Sequence, residues 1–237
     1  MDKRFIGFGL LFLLTGLFSG GALLTSVLEQ TIKTSIMQQA PVAEDLALEI
    51  APLKVGEFFK GRIGEFSFTA KRLGFSNGPA FEDFSLLSKG MQLDSSALFF
   101  KRRVEITELE ETYLAFNLAE SELTAMIRKD LPTFEPTVFL EEGVVELEGS
   151  LNLLGQGRLP FSATALLEKA SDHSLRLMPQ GLKVGGVTLW AELFANYAKQ
   201  LMWEFPLEIP WPVRLVNFQV KPGVIMVEWR EEEVDKE

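Results

Sequence analysis

The chain has 237 residues, enough for one large domain with a sizeable core. An apolar fraction of 47% with 24% charged residues excludes intrinsic disorder, and 20 Phe against 2 Tyr indicate a demand for purely apolar surface. Lys and Arg number 23 against 33 Asp and Glu, so the net charge of -10 has the wrong sign for attracting nucleic-acid phosphates. With no Cys there is no disulfide, thiolate nucleophile or thiolate metal ligand, and a single His leaves general-base and metal chemistry poorly supplied. Neither a nucleic-acid partner nor a metal or other cofactor is expected.

Lys3 and Arg4 precede an uncharged run from Phe5 to Leu28, the first 20 residues of which are strongly apolar. At about 1.5 Å per residue a helix of this length covers the ~30 Å hydrocarbon layer of a bilayer. Basic residues ahead of the run keep the N-terminus in the cytoplasm and place the rest on the extracytoplasmic side. The small residues Ser19, Gly20, Gly21 and Ala22 offer a processing site, so a cleaved signal peptide is the alternative to a retained transmembrane helix. The expected organisation is an anchor or signal segment over 1–25, one domain over 26–230, and an acidic tail over 231–237.

Leu24, Leu28, Ile32 and Ile36 recur every four residues and predict a helix to about Gln39, stopped at Ala40-Pro41. Leu46, Leu48 and Ile50, then Phe66, Phe68 and Ala70, alternate with other residues as strands. Further strands are expected between Phe81 and Phe116. Asn117 followed by Glu120 starts a second helix carrying Leu123, Ile127 and Leu131 and ended by Pro132. A meander follows, with turns at Gly143, at Gly155-Gln156-Gly157 and at Ala170 to Ser174. Gly185-Gly186 leads into a third helix near Leu189 to Met202, and two strands joined at Lys221-Pro222-Gly223 close the domain. Strands come in consecutive runs, so the fold class is α+β with an antiparallel sheet rather than a parallel doubly wound fold.

Phe99-Phe100, Val144-Val145, Leu166-Leu167 and Val224 to Val227 are apolar on both faces of their strands, which calls for cover on both sides. Three amphipathic helices are too few for roughly ten strands. Either the sheet wraps a helix and fills its own core, or an apolar ligand completes it.

The segments Phe58 to Leu73, Ser121-Glu122-Leu123 and Glu142 to Val227 resemble the LmeA-like phospholipid-binding domain family of bacterial envelope proteins. The last segment contains Gly143 to Gly149, Gly157 to Ala163 and Val184-Gly185-Gly186-Val187, and the resemblance spans about Leu24 to Arg230. It implies a tubular, TULIP-like architecture: a strongly curved antiparallel sheet rolled around a long helix, with an apolar groove for acyl chains. It carries over no catalytic motif and no lipid-contact residue.

No Ser lies in a Gly-x-Ser-x-Gly elbow, His173 sits in a turn composition, and no phosphate-binding loop is present, so an enzyme is not expected. Two features are candidate lipid contacts. Lys101, Arg102 and Arg103 bring three cations together for a phosphate headgroup or a membrane surface, although a solvated strand edge accounts for them too. Trp203, Phe205 and Trp211, stiffened by prolines, suit a groove mouth or the interfacial region, although sheet cover is the competing reading. The expected function is an extracytoplasmic, membrane-tethered protein that holds phospholipid acyl chains in an apolar groove, for lipid transport or envelope maintenance. The alternative is a non-catalytic structural or interaction domain of the cell envelope with a filled core.

Overall fold

A computed structural model describes residues 22–53, 56–57, 60–75, 78–94, 96–97, 106–130, 134–153, 157–188, 202–207 and 213–231. In chain order the described elements are α1 (Ala22–Gln39), β1 (Val42–Glu44), β2 (Ala47–Ile50), β3 (Arg62–Ile63), β4 (Phe66–Gly74), β5 (Ala80–Ser88), β6 (Gly90–Leu93), β7 (Ile106–Glu110) and β8 (Tyr113–Ala119). Then come α2 (Glu120–Asp130), β9 (Phe134–Glu141), β10 (Val144–Leu153), β11 (Gly157–Ser171), β12 (Ser174–Val184), β13 (Val187–Thr188), β14 (Trp203–Pro206), β15 (Val213–Lys221) and β16 (Val224–Glu231). Every described strand pairing is antiparallel.

The first sheet runs β1-β4-β5-β8-β16-β15, with β2 also on β4. Strand alternation puts one face of each strand inward, and the registers align those faces into rows. Leu48, Phe68, Leu86, Leu114, Trp229 and Leu215 form one row across six strands. Beside it the rings of Phe81 and Phe116 meet at 4.1 Å, Phe68 and Phe84 at 5.6 Å, and Phe116 and Trp229 at 6.0 Å. These rings are fully buried. A phenol hydroxyl there would need a partner, which accounts for the preference for Phe over Tyr.

Three strands of this sheet bend into a second, small sheet ordered β3-β6-β7, because β3 precedes β4, β6 follows β5 and β7 precedes β8 with one to two residues between. The corner is held by buried hydroxyls. Ser88 Oγ donates to the carbonyls of Gly90 (2.7 Å) and Glu110 (3.0 Å), and Thr112 Oγ1 donates to Ser88 Oγ at 3.0 Å. Glu111, at the bend of the other strand, has a left-handed φ of 41° and pairs with Lys89 at 2.5 Å.

The third sheet runs β13-β12-β11-β10-β9, with β14 on β12. Helix α1 follows β2: Glu29 accepts from the Ile50 N–H and Lys33 donates to the Leu46 carbonyl, while Leu28 and Ile32 enter the core. Helix α2 lies along β9 and buries Leu123 and Ile127.

The predicted α1 and α2 therefore form, and the antiparallel α+β class holds. The sheet is not one roll about a helix but three sheets. Among the described residues no helix is long and apolar enough to cross a membrane. The predicted transmembrane or signal segment up to residue 21 and the third helix near Leu189 to Met202 lie outside the described residues apart from Met202. The anticipated cover on both faces of the strands is absent at Leu166, which is exposed while Leu167 is buried; Val144, Val224 and Met226 are half-buried beside buried Val145, Ile225 and Val227. In each case one side chain serves the core and its neighbour faces out.

Phe116 touches Phe81, Phe84 and Trp229 at the centre of the first sheet. Phe116→Ala should cost about 3–5 kcal/mol of folding stability, read as a lower urea midpoint; a shift within error would mean that the cluster repacks without loss.

Candidate functional site

The third sheet differs from the first in what stands on its inner face. Its registers give one row of Leu140, Val145, Ala165 and Pro179, a next row of Val138, Leu147, Ala163 and Leu182, and a third of Pro136, Gly149, Phe161, Val184 and Val187. A one-residue register shift between Thr164 and Ala165 leaves Gln180 unpaired in β12. This bulge keeps the face apolar, since Leu175 and Leu177 point inward before it and Leu182 and Val184 after it.

Most of this face is buried: Val145 and Ala165 in the first row, Val138 and Leu182 in the second and Phe161 in the third are at most 9% exposed, and Leu147 and Ala163 are half-buried. Its exposure is confined to Leu159, two residues before Phe161 on the same side of β11, at 36%, and to Val187 on the edge strand, at 63%. Gly149 keeps the surface shallow: a Cβ there would lie 2.3 Å from the Glu135 carbonyl oxygen and 2.8 Å from the Phe161 ring.

The sheet is held in place by polar contacts at its edges. Glu120 accepts the Leu140 N–H at 2.6 Å, Thr124 accepts the Val138 N–H at 3.0 Å, and Arg128 Nε donates to the Pro136 carbonyl at 2.8 Å, so α2 satisfies the free edge of β9. Glu122 of the same helix binds Arg72 at 2.7 Å and the Ala80 N–H at 3.1 Å in the first sheet. The turns Gly143 and Gly223, both with left-handed φ, cross-link to Val220 and Leu140.

Of the residues singled out in the sequence, Phe205 is fully buried and Trp203 is 8% exposed; their rings stack at 4.8 Å, and Trp203 Nε1 donates to Asp130 at 3.0 Å. Both are buried where β14 pairs with β12. Lys101, Arg102, Arg103 and Trp211 lie outside the described residues. Sequence reasoning missed the inner-face row through Leu147, Ala163 and Leu182; alternation marked each strand, but only the pairing register joins them.

The His173 ring packs edge-on against Trp229 at 5.7 Å, whereas Ser174 Oγ donates to Glu204 at 2.7 Å. Among the described residues the His173 imidazole makes no hydrogen bond to Ser171 or Ser174. Among the described residues no group of three His, Cys, Asp or Glu gathers to hold a metal ion.

A family model described as LmeA-like phospholipid-binding matches residues 20–229, most of the chain and all three sheets. The chain belongs to that family. No curated protein and no solved structure matches it. The LmeA-like family is a lipid-binding family rather than an enzyme family, and the curled antiparallel sheets with few helices are consistent with a TULIP-like fold.

Acid should loosen this sheet selectively. Lys169 holds the Asp172 carboxyl below its ordinary value, and Ser174 followed by Arg176 does the same for Glu204. Both groups bind protons more weakly folded than unfolded, so their stabilisation is present above the usual carboxylate pKa of about 4 and fades as pH falls through the lower folded values. Amide exchange in β12 and β14 should rise below about pH 4. Unchanged protection there would show that these carboxylates do not hold the edge.

Proposed function

We propose that this protein is a membrane-tethered phospholipid-binding protein of the extracytoplasmic face that holds acyl chains against the inner face of its third sheet. The observation that carries this reading is the aligned apolar face of the third sheet, with Leu147 and Ala163 half-buried within it and Leu159 and Val187 exposed at its edge. Membership of the LmeA-like family supports phospholipid as the ligand. The uncharged run that follows Lys3 and Arg4 supports the tether, and a role in lipid transport or envelope maintenance follows from a chain that both binds lipid and stays at the membrane.

The physical driving force is burial. Each methylene removed from water gains about 0.8 kcal/mol, so a chain that buries about a dozen gains on the order of 10 kcal/mol before ordering costs. No bond has to form or break. The densely packed first sheet is what an interaction domain with a filled core requires, but the exposed Leu159 and Val187 at the edge of the third sheet are not.

Protein purified without detergent should carry phospholipid detectable by mass spectrometry. Ala163→Trp, which fills the middle of the face, should lower uptake of a fluorescent fatty acid about tenfold, the equivalent of about two lost methylenes, while circular dichroism stays unchanged. Lipid-free preparations that take up no fatty acid would sink the proposal.

A further inference from the structure

A cavity of about 340 Å³ opens on the side of the small sheet that faces away from the core, at the lower end of the ~300–1,000 Å³ of small-ligand sites. Pairing puts Arg62 opposite Gln92 and Gln92 opposite Glu108, with Glu110 two residues further on opposite Gly90. Ile63, Met91 and Leu109, the alternate residues, are buried in the core. Strands about 4.8 Å apart set the Arg62 and Glu108 backbones about 10 Å apart across the sheet, and the two glutamates about 7 Å apart along it. Gly90 makes room for this arrangement, because a Cβ there would lie 2.7 Å from Glu110 Oε2.

The charges lining the cavity divide into two groups. Lys89 is bound to Glu111 and Glu57 to Lys60. Among the described residues Arg62, Glu108 and Glu110 make no side-chain hydrogen bond or ion pair. One guanidinium thus stands across the sheet from two carboxylates that have no partner among the described residues. An anion alone would meet two negative groups in a chain of net charge -10, and a bare ammonium would leave the guanidinium unanswered. A phosphate joined by a short linker to a primary ammonium satisfies both: the guanidinium takes phosphate oxygens in a fork, and the ammonium donates to the carboxylates. A quaternary ammonium has no N–H to donate.

The cavity also has a position relative to the membrane. Leu53, which lines it, donates its N–H to Thr25 Oγ1 at 3.3 Å in the first turn of α1. Thr25 directly follows the 20 residues of Phe5 to Leu24. We infer that this cavity is a membrane-proximal site for the headgroup of an ethanolamine phospholipid, with Arg62 on the phosphate and Glu108 and Glu110 on the ammonium. The inference rests on the tethered reading, though not on the apolar face of the third sheet.

The full chain is reconstituted in nanodiscs of equal phosphatidylethanolamine, phosphatidylcholine and phosphatidylglycerol, and native mass spectrometry counts the lipids retained on the released protein. Phosphatidylethanolamine should exceed each of the others about fivefold, the factor that one screened ion pair supplies. Glu108→Gln with Glu110→Gln should bring the ratio to one while circular dichroism stays unchanged. Equal retention by the wild type, or an unchanged preference in the double variant, overturns the site. In a second arm soluble glycerophosphoethanolamine is titrated while the amides of Gly90 and Gln92 are followed by NMR; saturation in the absence of bilayer would assign the cavity to a free phosphoester and overturn the membrane source. Fatty-acid uptake measured on the same samples separates the two readings. Its loss with the ethanolamine preference kept removes the apolar groove but not the headgroup site.

Discussion

The third sheet depends on how its first strand is closed. An edge strand presents alternate N–H and C=O groups that water or another strand must satisfy. Here α2 does it with side chains: Glu120 and Thr124 accept from Leu140 and Val138, and Arg128 donates to Pro136. The Leu140 carbonyl accepts from Gly223 at the turn between β15 and β16. The same helix grips the first sheet through Glu122 and receives Trp203 at Asp130. Besides the core they share, the two sheets are thus joined by an 11-residue helix, a few turn contacts and Lys169, which donates to the Leu215 carbonyl, instead of by a shared ladder.

The sheets divide the apolar residues by size. The first sheet sets Leu, Phe, Leu, Leu, Trp and Leu in one row, which fills its interior. The third sheet sets Pro, Gly, Phe and Val in one row and Val, Leu, Ala and Leu in the next. Small residues in the middle of a sheet forgo packing, since interiors otherwise reach crystal-like density. On this face they leave Leu147 and Ala163 half-buried, whereas Phe68, Leu86, Leu114 and Trp229 in the row of the first sheet are fully buried.

Local signals in the sequence survived into the structure where the local chain alone determined them. The stripe of Leu28, Ile32 and Ile36, the acidic start of α2 and the left-handed glycines Gly143, Gly185 and Gly186 needed no distant partner. What stayed hidden depended on pairing. The corner at Ser88 and Thr112 splits strands that read as continuous, and the three-residue β1 follows Pro41 too closely to show alternation. Apolar pairs such as Leu166-Leu167 suggested cover on both faces because periodicity counts hydrophobic residues without knowing which are left exposed. Trp203 and Phe205 left two readings open among prolines, a groove mouth or cover for the sheet, and both are buried where β14 pairs with β12. The cavity beside Arg62 and Glu108 was equally invisible, since 46 positions separate residues that two register steps bring together.

The apolar N-terminal run reaches into the folded domain. Its last residue, Leu28, is 3% exposed and packs into the core with Ile32, so it belongs to the folded domain and not to a bilayer. Phe5 to Leu24 remain, and 20 helical residues rise about 30 Å, the thickness of the hydrocarbon layer. On the tethered reading α1 begins close to the bilayer, because its first turn carries Thr25, which accepts the Leu53 N–H, and Leu28 one turn later is in the core. Such close attachment lowers the entropy cost of presenting an apolar face to the lipids it takes up, since the orientation is set before the ligand arrives.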